Sequence, residues 1–322
     1  MTYGQGQTIL ASDFNAFYGP TSAGGTSGSN LLDIWATGSG DKGWGQSTVA
    51  NPAIGSTVSA TQWAALVANT ATAGQQTGVT TTSRTPAPTS GNVILAFTSF
   101  TTDLTNITAA RGNAVGSGTL VNTGGTSAPI AKATNAAGWN MTFTQTLTFA
   151  NANAQRYFWN AGGILQLTMS KTGTSTDKDP DWNTFVGTVG TISFVGRVNS
   201  NSQSINGATY PGTSRTGGSG TPTIASTTGW YNLTPGAAAT QIYTITDGVS
   251  PYTGDTITVK AAISADGTVT TITTVWHDNG YSGAGKNNSV SAGGAVTLAF
   301  IPPSTTYLTN SWGTPTLSSS VA

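Results

Sequence analysis

Charge is what this chain has least of, and that scarcity limits its folds more than any other feature. Across 322 residues, 11 Lys and Arg face 11 acids, so 7% of positions are charged and the formal net charge is zero. A typical soluble domain carries ~25% charged residues. Every acid is Asp, and glutamate is absent. Solvent-exposed helices normally build their polar faces from Glu and Lys, so long ones are not expected. Thr, Ser, Asn and Gly must carry the surface instead. Thr does this best on strands, because it is β-branched and hydrogen-bonds without charge.

The same composition closes off several functions. A neutral, sparsely charged chain is a poor partner for phosphate backbones, so no nucleic acid is expected. Without Cys there is no disulfide, no thiolate metal site and no Cys nucleophile. A single histidine, His277, excludes a two-His metal site within one chain. Nine Trp, nine Tyr and ten Phe are costly to leave in water and argue against a disordered chain. No apolar run reaches the ~18 residues of a membrane helix. Residues Met1 to Gln7 lack the basic stretch and apolar core of an export signal. No cofactor is expected.

The N-terminal part contains an internal echo. Gly6 to Phe17 and Gly55 to Leu66 share the pattern Gly-x-Thr-aliphatic-x-Ala-hydroxyl-polar-aromatic-x-Ala-apolar. Each copy reads as an extended entry, an N-cap at Ser12 or Thr61, and a helix with its aromatic turned inward. The second helix is expected over Thr61 to Thr72, ended by Gly74. Between the copies, Leu31 to Trp35 fits a helix end or a short strand. The glycine-rich stretch after it reads as a loop around a buried or stacking Trp44. Residues 79–92 read as a linker or extended arm. Phe97, Phe100, Leu104, Ile107 and Ala110 then recur at helical spacing, and Arg111-Gly112 stops the helix. Residues 113–134 read as a Gly/Ala/Thr-rich linker.

From Trp139 the apolar period becomes two. Strands are expected at Trp139 to Phe149, Ile164 to Ser170 and Thr191 to Val198. Short helices are expected at Asn151 to Asn160 and at Asp181 to Val186. Residues 199–220 read as a long polar loop. Further strands are expected at Thr240–Thr246, Asp255–Ser264, Thr268–His277, Ala295–Ile301 and Tyr307–Trp312. Asp266-Gly267 supplies a hairpin turn between two of them. Strands at this spacing suggest an antiparallel β-sandwich.

Two segments carry a resemblance. Trp35-Ala36-Thr37-Gly38-Ser39-Gly40-Asp41-Lys42-Gly43-Trp44-Gly45-Gln46, with Thr61-Gln62-Trp63 and Leu66 after it, resembles the N-terminal part of virion structural proteins of tailed bacteriophages. Gln155-Arg156-Tyr157-Phe158-Trp159-Asn160-Ala161-Gly162-Gly163 is similar to a segment of the same proteins. There it is followed by a strand and a Lys, Asp, Trp pattern, matched here by Lys178, Asp181 and Trp182. The resemblance covers about residues 1–200 and implies a tail, neck or fibre-type part, commonly homo-oligomeric and without catalysis. It brings no catalytic residues to this chain.

The remaining chemical signals have plain structural readings beside them. Gly38-x-Gly40-x-x-Gly43 matches a dinucleotide fingerprint in form, but no helix pattern follows it to receive a pyrophosphate. His277-Asp278 ends a strand, and no Gly-x-Ser-x-Gly elbow accompanies it. A ring of His277 at an oligomer axis is a route to a metal site. Asp177, Asp179 and Asp181 fall within five residues. A carboxylate pair can cleave glycosidic bonds and such a loop can hold Ca²⁺. The plain reading makes Asp181 an N-cap and leaves the rest a solvated loop neutralised by Lys178. Tyr210, Trp230, Tyr231, Tyr252 and Tyr281 fall at loops or strand ends, where they either contact host glycans or close the sandwich by packing.

The expected protein is mainly β with a small helical N-terminal part, α+β in class, with a C-terminal antiparallel β-sandwich. Residues 1–112 form an attachment and oligomerisation domain, and residues 135–322 the sandwich-like domain. Trp35, Trp44, Trp63, Phe97, Phe100, Leu104 and Ile107 are the candidate assembly residues, the helical stripe packing into a multi-chain bundle. The expected partners are sister chains (a trimer in a fibre), other virion proteins and a host surface glycan. The expected function is a non-enzymatic virion component of tail or neck fibre type. The alternatives are a capsid decoration or collar protein, a secreted bacterial adhesin or surface-layer subunit, and a polysaccharide-cleaving spike.

Overall fold

The computed structural model describes residues 11–19, 30–53, 55–82, 97–114, 138–196, 202–281, 289–291 and 293–322. The expected linkers fall almost wholly outside them. Four helices come first: α1 (Ala11–Tyr18), α2 (Leu31–Trp35), α3 (Ala60–Thr77) and α4 (Phe97–Ala109). Asn30 caps α2 by accepting from the Asp33 amide, which settles Leu31 to Trp35 as a helix. The cap of α3 is Ser59, two residues before the expected Thr61, and it forms a reciprocal box with Gln62.

Gly74 does not end α3. The helix runs on to Gly78, which supplies the left-handed C-terminal residue with φ +72°. Gly74 instead permits the chain to fold back over the helix. A Cβ there would lie 2.6 Å from Thr81 Cγ2 and 2.7 Å from the Val79 carbonyl.

Aromatic rings hold the helices together. Phe14 meets Trp63 edge-on at 5.5 Å, and Phe17 lies 5.5 Å from Phe100. Phe100, Leu104 and Ile107 are buried within the chain, where α4 contacts α1 and α3. Their stripe therefore needs no multi-chain bundle to cover it. The side chain of Phe97 lies outside the described residues.

The rest is antiparallel sheet with two more helices. The strands are β1 (Asn140–Thr148), β2 (Ile164–Lys171), β3 (Thr191–Val195), β4 (Gln203–Ile205), β5 (Ala208–Tyr210), β6 (Thr213–Thr216), β7 (Thr223–Ile224), β8 (Thr240–Thr246), β9 (Thr256–Ile263), β10 (Val269–His277), β11 (Gly294–Ile301) and β12 (Thr316–Val321). Helix α5 (Ala152–Asn160) is capped by Asn151, and α6 (Asp179–Gly187) carries Pro180 in its first turn. One sheet has the order β12-β1-β10-β9-β8-β7, a second β11-β2-β3-β6, and β4-β5 form a small hairpin.

The two larger sheets pack face to face. Leu165, Leu167, Ile192, Phe194 and Leu298 of one meet Ile242, Val259 and Ile272 of the other around a small apolar cavity. The protein is thus α+β, with mostly antiparallel sheet and a sandwich-like part. One contiguous set of buried side chains runs from α1 through α4 into both sheets.

Two expectations fail for a common reason. The polar loop 199–220 contains β4, β5 and β6, and the expected strand Tyr307–Trp312 is turn and irregular backbone. In its place β12 pairs with β1 as an edge strand of Thr, Leu, Ser and Val, mostly exposed. Short or edge strands are held by their ladders, so they need no apolar period. Leu308 and Trp312 are buried singly, without a strand to space them.

Candidate functional site

Two places concentrate polar interactions. The first joins two segments far apart in sequence, the loop 38–46 and helix α5. Loop 38–46 turns through Gly40, Gly43 and Gly45, all with positive φ. A Cβ on Gly45 would lie 2.4 Å from the Tyr157 ring, so glycine lets the loop press against α5. The Asn160 amide at the end of α5 donates to the carbonyls of Lys42 and Gly43, each at 2.9 Å. The Trp44 indole donates back to the Asn160 carbonyl at 3.1 Å. Arg156 donates to the carbonyls of Thr37, at 2.9 Å, and Lys42. Tyr231 donates to the Asn160 side chain and, at 3.1 Å, to the Gly40 carbonyl. Gln46 pairs both ways with the Thr309 backbone, accepting at 2.8 Å and donating at 3.0 Å. The carbonyls of the fingerprint-like glycine loop are thus bonded within the chain.

The second place is a buried charge centre at one end of the sandwich. Its acids extend the inward registers of three strands. Ile245, Ile257 and Trp276 face the core, and two residues beyond each, past the strand end, stand Asp247, Asp255 and Asp278. His277 pairs with Thr256 as the last rung of the β10–β9 ladder, so Asp278 and Asp255 meet one step further out. Asp247 joins them through its amide, which donates to the Asp255 carbonyl at 2.8 Å.

Lys178, the residue before α6, enters this acidic corner fully buried. Its Nζ contacts Asp278 Oδ1 and lies 3.1 Å from Asp255 Oδ2. The Tyr252 ring sits beneath the ammonium at 4.8 Å, and Tyr281 meets Tyr252 edge-on at 5.8 Å. Trp182 of α6 stacks on Trp276 at 5.6 Å and lies 4.9 Å from Trp139, closing the apolar side. Burial pushes the Asp255 carboxyl up to about 6 against the lowering pull of Lys178 and the Asn279 amide. Asp181 rises to about 7, first by burial, then through Asp247 and Asp255.

The expected cap and solvated loop at Asp177 to Asp181 is therefore corrected. Asp177 alone of the three acids is exposed, and α6 starts at Asp179, so Asp181 lies inside the helix and is not its cap. Lys178 pairs with Asp255 and Asp278, and Asp179 pairs with Lys171 at 2.9 Å. Asp179 also accepts from the amides of Ser175, Thr176 and Ser291 and from the Ser291 hydroxyl. Those bonds outweigh burial and hold its carboxyl down at about 2. The spacing of the three acids in sequence thus says nothing of their separation in space. Among the described residues, no group of three or more His, Cys, Asp or Glu is arranged to hold a metal ion. His277 lies half-buried at its strand end with Nδ1 2.9 Å from Asn140 Oδ1.

The five loop aromatics do not form one exposed surface. Tyr252 is buried, and Tyr210, Trp230, Tyr231 and Tyr281 are half-buried. Trp230 stacks on Trp159 at 6.1 Å, and Tyr210 packs on Ile164, Val195, Ile205 and Ile301. Trp44 belongs to the loop-to-α5 joint, Trp35 donates its indole N–H to the Ser47 carbonyl at 2.9 Å, and Trp63 lies in the helical core; all three are buried. The amino-acid sequence alone does not bring Asp247, Asp255 and Asp278 together as a set, nor give Asn160 its role at the joint. The period-two register carried past each strand end is the signal that finds the three acids. No helix among the described residues is long and apolar enough to cross a membrane. No protein-family model, curated protein or solved structure matches this chain.

Proposed function

We propose that this chain is a non-enzymatic structural subunit of a tailed-phage virion, of tail or neck fibre type, assembled with copies of itself and other virion proteins. One observation supports the reading above the rest. The two phage-like segments, far apart in sequence, are locked to each other by Asn160, Trp44 and Arg156. Their glycines and aromatics are used as a joint between the helical part and the sheets, as suits a scaffold rather than a substrate site. The low charge fits the same role, since desolvating a charge at a subunit contact is costly while a hydroxyl or amide is more easily satisfied.

The experiment is direct. Particles are purified from producing cells and labelled with antibody against this chain, then imaged. Label on the tail or neck is expected. Label spread over the capsid shell would replace the fibre reading by a decoration protein. Absence from particles, with the chain found on the bacterial surface, would overturn the proposal in favour of an adhesin.

A further inference from the structure

The Lys178 centre has the parts of a condensation site. We propose that the Lys178 amine and the Asp278 carboxyl join in an intramolecular amide bond, with Asp255 as the acid–base group that moves the protons. The two reacting side chains are completely buried and in contact, and they come from positions 100 residues apart. Asp255 reaches the same Lys178 nitrogen with both oxygens, at 3.1 and 3.4 Å, and strand pairing sets it directly opposite Asp278.

In water such a condensation does not proceed, because the ammonium and carboxylate are well solvated and water reverses the reaction. Burial removes both obstacles. An ion pair in a low-dielectric site is poorly stabilised, and transfer of one proton converts it to a neutral amine and a neutral acid. Fixed contact supplies the rest, since well-oriented groups reach effective molarities on the order of 10⁵–10⁸ M.

The step balances without any outside reagent. Proton transfer through Asp255 leaves Lys178 as amine and Asp278 as carboxylic acid. The nitrogen lone pair attacks Asp278 Cγ, and a C–N bond forms. Asp255 gives its proton to the departing hydroxyl and takes one from the nitrogen. The Cγ–O bond breaks, water leaves, and Asp255 ends as it began. The sum is ammonium plus carboxylate to amide plus water, with no oxidation or reduction.

The Lys171–Asp179 pair marks what the reaction needs. It is equally buried, with nitrogen and oxygen 2.9 Å apart. Yet Asp179 accepts from three amides and a hydroxyl besides Lys171, which hold it as the anion, and among the described residues Lys171 pairs with no second carboxylate that could carry a proton. It is an ion pair and serves as the internal control.

The test is the intact mass of the full-length purified chain under denaturing conditions, followed by peptide mapping. The expected result is a chain lighter by one water, with a branched peptide joining the segment of Lys178 to that of Asp278. Asp255→Asn is expected to leave the chain at its unreacted mass, and Lys171→Arg to keep the loss of water. A wild-type chain at full mass, with Lys178 and Asp278 in separate peptides, would overturn the proposal whatever the variants do. So would a lost water mapped to Lys171 or to any other pair.

Discussion

Two buried lysines, seven positions apart, enter the protein interior on opposite terms. Lys171 ends β2 and meets one carboxylate, Asp179, which is already held by three amides and a hydroxyl. Lys178 precedes α6 and contacts two carboxylates, with Asp181 and Asp247 acting on the same corner. In the first place the donors outnumber the acids. In the second the acids outnumber the lysine. Burial without enough donors raises carboxyl pKa values and leaves protons to move, whereas burial with enough donors fixes an anion. A chain with so few charges therefore keeps several of them inside, sorted into an inert pair and a strained cluster.

Replacing each lysine in turn separates the two places most sharply. Lys178→Met leaves the Asp255 and Asp278 carboxylates buried without their cation, and is expected to cost about 5 kcal/mol, the upper end for a broken buried pair. Lys171→Met leaves Asp179 its other donors, so about 3 kcal/mol is expected. Urea unfolding of both variants checks the order. Equal losses would mean that the extra acids around Lys178 carry no weight. A linked Lys178–Asp278 pair widens the gap, because closing a loop of this size stabilises by roughly 4–5 kcal/mol in the chain-entropy treatment.

The pH response should divide the same way. Asp179 is lowered to about 2, so its contribution is present above the ordinary carboxylate range and is lost as pH falls through about 2. Asp181 is raised to about 7, so its contribution is present in its protonated form and is lost as pH rises through about 7. Stability is expected to decline on both sides of a mildly acidic optimum. Asp181→Asn should flatten the decline near neutrality and leave the acid side alone. Urea midpoints taken across the pH range decide it, and an Asp181→Asn curve that still falls through neutrality would remove Asp181 from the cause.

These two regions also differ in how far the sequence announces them. The strands β9 and β10 are legible from alternation, because each buries every second residue along its length, whereas β8 breaks the alternation where Ile242 and Tyr243 are both buried at a register shift. Helices α4 and α5 are legible from the Phe100–Leu104–Ile107 spacing and from the Asn151 cap. Edge strands such as β12 escape, since ladder hydrogen bonds need no apolar residue. The charge centre escapes for a different reason. Asp255 and Asp278 are set beside each other by strand pairing across a hairpin, while the pattern Asp177 to Asp181 draws attention to neighbours in sequence that diverge in space. Lys178 and Asp278 meet only once α6 has docked on the sheets.

Tyr252 gives the smallest effect and sharpens the comparison furthest. Its ring supports the Lys178 side of the cluster at 4.8 Å, but its hydroxyl is buried and has no hydrogen-bond partner among the described residues. Burial accordingly raises the phenol pKa. An unpaired buried hydroxyl costs about 1–3 kcal/mol against an apolar atom in its place, so Tyr252→Phe should stabilise the chain by about 1 kcal/mol. The ring, and with it the cation–π contact, is kept. Thermal unfolding of Tyr252→Phe beside the wild type is the measurement. A loss of stability would show that the hydroxyl is bonded, and would place this corner nearer the donor-rich economy of Lys171 and Asp179 than the donor-poor one argued for Lys178.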